Sequence, residues 1–100
     1  MIPEKTIQEL IEKHKFLEKD LSSGSVGKKE FAEKSKEYSD LNEIIIDAKK
    51  YISFDNEKND LEKIINDADA DKELKKMAEL ELNDLKLQFE KNKKKLKLFL

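Results

Sequence analysis

The feature that most restricts the fold is a long stretch, residues 28–66, that contains neither proline nor glycine. These two residues are the strongest helix breakers, and the whole chain has only one proline and two glycines. An unbroken helix over this stretch would be about 58 Å long at 1.5 Å per residue. A helix of that length outgrows any compact core that 100 residues can build. We therefore expect an elongated all-α domain.

Apolar residues at helical spacing predict three helices in this domain. The first carries an apolar stripe over residues 7–21 and ends at 22–24, where two serines precede a glycine. The second occupies residues 28–66, and the third carries a stripe over residues 74–99. Because the connection between the second and third helices is short, they must be antiparallel neighbours. The sequence thus predicts a long, coiled-coil-like helical hairpin with the first helix folded back on it.

The apolar face of the second helix rotates along its length, and the change falls near residues 44–46. Two geometries explain the rotation: one long helix whose halves have different partners, or a break near residues 53–56. We favour the long helix. Its first half then packs on the first helix through Tyr38 and Leu41, and its second half packs on the third helix through Leu61 and Ile65.

Composition limits the classes of function. All 21 basic residues are lysines and the net charge is -2, which argues against attraction of the whole surface to a polyanion. Without arginine the chain lacks the usual bidentate reader of guanine, so we expect no sequence-specific DNA binding. Cysteine is absent, and no apolar run is long enough for a signal peptide or a membrane span. We expect a soluble, cytoplasmic protein.

His14 is the only histidine and lies one helical turn before Glu18, a spacing that can share a metal. Zinc sites usually need several His or Cys ligands, and His14 falls within the apolar stripe of the first helix. We therefore predict a structural, semi-buried histidine and no metal site.

Three alternating carboxylates, Asp67, Asp69 and Asp71, imitate the first ligand positions of an EF-hand loop. The motif fails at its two most demanding positions, since Lys72 replaces the turn glycine and Ala78 replaces the bidentate acid. We interpret the run as capping carboxylates at the start of the third helix. No phosphate-binding loop or catalytic triad accompanies it, so we predict no catalytic residue and no cofactor.

Residues that point away from the predicted core are the candidates for partner contacts. Phe16 lies roughly opposite the apolar stripe of the first helix, and several leucines lie on a second side of the third helix. A lysine cluster near the C-terminus could bind phosphates or an acidic partner. We favour the interpretation that these lysines form a solvated face of the helix beside its buried residues. The candidate contact residues are Phe16, Leu80, Leu87, Lys93, Lys94 and Lys95.

Three segments carry a resemblance to a known family. They are Leu10-Ile-Glu-Lys-His14-Lys-Phe-Leu-Glu, Phe31-Ala-Glu-Lys-Ser-Lys-Glu-Tyr38-Ser-Asp-Leu41 and Met77-Ala-Glu-Leu-Glu-Leu82. Together they closely resemble the N-terminal domain of the bacterial peptide chain release factor 1 family, the class I termination factors. The similarity runs essentially end to end and favours the type that reads UAA and UAG over the type that reads UGA.

The resemblance implies a function in translation termination without catalysis in this part of the factor. In that family, stop-codon reading and the Gly-Gly-Gln loop belong to later domains, and neither motif occurs here. Residues 1–100 would then form a single helical domain, cut from a longer factor before those domains. The implied role is a binding and positioning module at the stalk base of the large ribosomal subunit, with the recycling GTPase release factor and the glutamine methyltransferase as further partners.

A rival hypothesis from the residues alone is a structural coiled-coil adaptor or small helical chaperone. Such a protein could present the same amphipathic helices and the same balance of acids and lysines.

Overall fold

The computed structural model describes residues 2–100 as four α-helices, with no strand among them. The helices are α1 (Glu4–Ser23), α2 (Lys28–Asn42), α3 (Ile45–Asn66) and α4 (Lys72–Phe99). The molecule measures 60 × 27 × 19 Å along its principal axes. This confirms the predicted all-α class and the elongated shape.

Local signals set the ends of α1 where the sequence placed them. Pro3 occupies the N-cap position in an extended conformation, and Gly24 follows the last helical residue with φ 73°. That left-handed conformation is strained for residues with a Cβ, so glycine is the residue that ends a helix this way.

The prediction of one helix over residues 28–66 is wrong, because the chain breaks at residues 43–44. The Ile44 amide donates to the carbonyl oxygen of Leu41 at 3.0 Å, three residues back, which tightens and ends the helical turn. A new helix then starts with the Ala48 amide bonded to the Ile44 carbonyl at 2.9 Å. The chain is helical without interruption through residues 53–56, so the alternative break is excluded as well.

Local propensity and tertiary contacts together explain the position of the break. Residues 44–46 are three consecutive isoleucines, whose β-branched side chains are poor helix formers. Asn42, the last residue of α2, has its side chain bonded to His14 on α1. The break therefore lets α2 lie on α1 while α3 remains beside α4.

The main core lies where the beginnings of α1 and α3 meet the end of α4. Its buried members are Ile2, Ile7, Ile44, Ala48, Tyr51 and Leu96. The Tyr51 hydroxyl donates to the Ile2 carbonyl oxygen at 3.0 Å within this core. The predicted division of partners is thus incomplete, because the first half of α3 packs on both α1 and α4. The contact predicted for Tyr38 is confirmed, since its ring stacks on His14 of α1.

The α3–α4 pair is the predicted antiparallel hairpin. Phe89 of α4 stacks on Phe54 of α3 with ring centroids 4.0 Å apart. At the hairpin tip, Asp71 is the N-cap of α4, and its Oδ1 accepts from the Glu73 amide at 3.4 Å. The Asp67 carboxylate accepts from the Asp69 amide at 2.9 Å, which closes the loop before it. The predicted capping role is therefore confirmed for Asp71, whereas Asp67 stabilises the loop and Asp69 contributes only its backbone amide.

Candidate partner-binding surfaces

His14 is a structural residue that joins α1 to α2. Its side chain is buried, and its Nε2 donates to Asn42 Oδ1 at 2.5 Å. Its ring also stacks on Tyr38, with the centroids 4.8 Å apart. The semi-buried, structural position predicted for His14 is therefore confirmed.

Two ion pairs, which the sequence reasoning did not identify, also connect α1 to α2. Lys34 Nζ donates to Asp20 Oδ2 at 2.6 Å, and Lys13 pairs with Glu37. The hydrogen bond and the negative charge of Asp20 raise the pKa of Lys34 above its ordinary value. The α1–α2 interface thus combines one stacked ring pair with polar contacts, and only Leu41 of α2 is buried.

The outer face of α4 carries a stripe of exposed leucines, Leu80, Leu87 and Leu98. At 100° per residue these three positions fall within about 20° of one another and lie opposite Leu96. They are 70%, 65% and 88% exposed, whereas Leu96 is 0% exposed. The three leucines of this outer stripe are therefore apolar side chains that no other part of residues 2–100 covers.

Phe16 forms a separate exposed position on α1, where its side chain is 60% exposed. Because α1 packs on α2 and α3, Phe16 does not join the outer stripe of α4. The structure thus exposes the three apolar residues predicted from the sequence as partner contacts but does not bring them all together.

The predicted lysine cluster is divided between two sides of α4. Lys93 is bonded to Glu90 at 3.3 Å and lies over the Phe89 ring, with Nζ 5.8 Å from its centroid. Lys94 and Lys95 instead line an open groove between α3 and α4. Only these two of the three candidate lysines therefore face a common surface.

The exposed features of residues 2–100 are suited to binding, because they offer apolar and charged contact area. Within this range, no three or more carboxylate or imidazole groups come together as metal ligands would. None of the helices in the described part of the chain is both long and apolar enough to cross a membrane.

Comparison with known proteins identifies the family to which this chain belongs. A family model described as the PCRF domain matches residues 10–100. A protein named peptide chain release factor 1 from Pelagibacter ubique (strain HTCC1062) is 67% identical over 100 residues, which is 100% of this chain and 28% of the relative. Proteins of the same name from Ehrlichia ruminantium (strain Gardel) and Orientia tsutsugamushi (strain Boryong) are 40% and 38% identical, over 94% and 78% of this chain and 26% and 21% of their own lengths.

These relatives confirm the resemblance predicted from the sequence. The chain spans little more than a quarter of the length of the Pelagibacter relative, at 28%. No solved structure gave a significant match. Since the family model covers nearly the whole sequence, residues 10–100, the chain belongs to the PCRF domain family of peptide chain release factors.

Proposed function

We propose that this chain is the N-terminal binding and positioning module of a release factor that terminates translation at UAA and UAG codons on the ribosome. The observation that carries the proposal is the 67% identity, over the whole chain, to a protein named peptide chain release factor 1. A cytoplasmic location follows from this function.

The module contributes contacts and leaves the chemistry to other parts of the factor. The sequence contains no Gly-Gly-Gln triplet, the motif that the resemblance associates with peptidyl-tRNA hydrolysis. An arm 60 Å long with exposed apolar and cationic side chains suits a role in positioning the factor. The partner contacts that we assign to it are Phe16, Leu80, Leu87, Lys94 and Lys95. Lys93 is also assigned as a contact, in the position where it is paired with Glu90 and lies over the Phe89 ring.

The partners we propose are the stalk base of the large ribosomal subunit, the recycling GTPase release factor and the glutamine methyltransferase. A coiled-coil adaptor or chaperone unrelated to termination is disfavoured, because the family match covers residues 10–100.

A chimera tests the proposal. The chain replaces the corresponding 100 residues of the Pelagibacter factor, which it matches at 67% identity. Release of labelled formyl-methionine is then measured on ribosomal complexes stalled at UAA, UAG or UGA. We expect the chimera to release formyl-methionine at UAA and UAG at a rate within about threefold of the parent factor. The isolated chain should release none, and the Pelagibacter factor that lacks these 100 residues should release it more slowly than the chimera.

Surface substitutions in the chimera test the contact residues. Leu80→Ser combined with Leu87→Ser is expected to weaken ribosome binding, seen as a higher KM with little change in kcat. Phe31→Ser combined with Met77→Ser is the matched control, since both side chains are exposed but lie outside the outer stripe. A chimera that is inactive at all three codons although folded would contradict the proposed function. Equal effects of the two double variants would contradict the assignment of the outer stripe.

A further inference from the structure

A continuous groove runs along one side of the α3–α4 hairpin. It consists of three adjoining cavities of about 510, 80 and 360 Å³. Lys50, Gln88 and Asn92 line both of the first two cavities, and Glu57, Leu85 and Gln88 line both of the last two. Because neighbouring cavities share walls, they form one channel between the two helices.

The end of the groove beside the C-terminus of α4 is basic. Four lysines, from both helices, line it: Lys50, Lys91, Lys94 and Lys95. Two acidic residues, Glu43 and Asp47, lie at the same end, so the lining keeps a net positive charge. The exposed side chain of Ile46 adds an apolar contact there, at 64% exposure.

The opposite end of the groove, toward the hairpin tip, is acidic. Its charged lining consists of Glu57, Asp60, Glu81 and Asp84, and no lysine lines this cavity. Four carboxylates in one open cavity produce a negative potential that attracts cationic side chains. The groove therefore has charge of opposite sign at its two ends.

The middle of the groove has an apolar floor between polar walls, which include Lys50, Glu57, Gln88 and Asn92. Phe54, Leu85 and Phe89 line it, and all three remain half-buried although they lie between packed helices. Leu61 continues this apolar floor into the acidic end. Covering this remaining apolar area with a partner would be favourable by about 25 cal/mol per Å².

The dimensions of the groove fit a helix. On α3 the lining extends from Ile46 to Leu61, which corresponds to about 22 Å at 1.5 Å per residue. A third helix laid between two antiparallel helices is the usual packing that completes a bundle, whereas the described residues offer no sheet edge for an added strand. An occupant of about four helical turns would fill the groove.

We infer that this groove binds an amphipathic helix of another protein, with acidic residues at one end, an apolar stripe in the middle and basic residues at the other end. The acidic end of that helix lies beside Lys91 and Lys95, and its basic end lies beside Glu81 and Asp84. Opposite charges at the two ends fix the direction in which the helix lies, while the apolar floor supplies most of the affinity.

The electrostatics favour another protein over a second copy of this chain. The longest helix the chain could offer is α4, whose C-terminal half is rich in lysine. Its N-terminal half is not correspondingly acidic, since three lysines (Lys72, Lys75 and Lys76) stand among four acids (Glu73, Glu79, Glu81 and Asp84). That half would leave the basic end of the groove largely uncompensated.

A pair of synthetic peptides tests the inference on the 100-residue chain itself. The first is a labelled helical peptide of about 18 residues with Glu in the first turns, Leu at core spacing in the middle and Lys in the last turns. The second has the same composition, but Glu and Lys alternate so that both ends are neutral. We expect the first peptide to bind about tenfold more tightly by fluorescence anisotropy at low salt, and its advantage to shrink as salt rises.

Charge-reversal variants locate the binding. Lys91→Glu combined with Lys95→Glu is expected to lower the affinity for the first peptide by at least about tenfold. Lys86→Glu combined with Lys97→Glu makes the same change of net charge on exposed positions of α4 that do not line the groove, and is expected to leave affinity nearly unchanged. Circular dichroism verifies that both variants remain helical.

Several results would overturn the inference. One is equal affinity for the two peptides, and another is an equal loss of binding in the two variants. A third is amide chemical-shift changes that map to the outer stripe and spare the groove. Sedimentation of the chain alone as a dimer that breaks up in the Lys91→Glu, Lys95→Glu variant would assign the groove to a second copy.

Discussion

Leu96 lies close to the C-terminal end of α4, yet its side chain is fully buried in the main core. It belongs to the same buried cluster as Ile7 near the beginning of α1 and Ala48 near the beginning of α3. Leu96→Ala should therefore loosen three helices at once, although the substitution is near the end of the last one.

The size of the effect follows from burial. Leu96→Ala removes three carbon atoms from a site with 0% exposure. At about 0.8 kcal/mol per methylene, the transfer term alone is about 2.4 kcal/mol, and the cavity left behind adds to it. We expect a loss of about 3 to 5 kcal/mol, which is a large part of the stability of a domain this size.

Urea unfolding followed by circular dichroism measures this loss, and Leu98→Ala is the matched control two residues away. Leu98 is 88% exposed, so its truncation should change the free energy of unfolding by less than about 0.5 kcal/mol. Native-state hydrogen exchange should also become faster in the first turns of α1 and α3 in the Leu96 variant. Equal and small losses for the two variants would refute the three-helix core at this end of the molecule.

Three further substitutions test single contacts by the same unfolding assay. Asp71→Ala removes the N-cap of α4 and should cost about 1 kcal/mol, whereas Asp69→Ala, which keeps the cap, should cost less than half as much. Tyr51→Phe removes a buried hydrogen bond to the backbone near the N-terminus and should cost about 1 kcal/mol; no loss would show that this hydroxyl has no net effect. Asn42→Ala leaves His14 without its hydrogen-bond partner, should cost about 1 to 2 kcal/mol and should speed exchange in α2 more than in α4. Faster exchange in α4 instead would contradict a role of the His14–Asn42 bond in holding α2 on α1.

Much of the architecture could be predicted from the sequence, because its signals are local. The helical spacing of apolar residues identified α1 and α4, Gly24 marked the end of α1, and the aspartates marked the start of α4. The exposure of Leu80 and Leu87 was also predictable, since a residue on the far side of an amphipathic helix points to solvent wherever the helix packs.

The break between α2 and α3 could not be placed by the same reasoning. No glycine or proline marks it, and the isoleucines of residues 44–46 only weaken the helix locally. The last residue of α2, Asn42, also bonds to His14, which lies 28 positions away in the sequence across the α1–α2 interface. The rotation of the apolar face had indicated a change near residues 44–46, but a rotated face alone does not distinguish a bend from an exchange of partners.

The candidate contact residues on α4 also depend partly on the sequence and partly on the tertiary structure. By itself, the sequence determined which residues are charged or apolar and on which side of each helix they lie, because helix geometry fixes the angle between neighbours. Only the tertiary structure separated Lys93, held by Glu90 and the Phe89 ring, from Lys94 and Lys95, which face the groove. The groove itself exists only because α3 lies beside α4, so its walls come from residues far apart in the sequence that no local pattern connects.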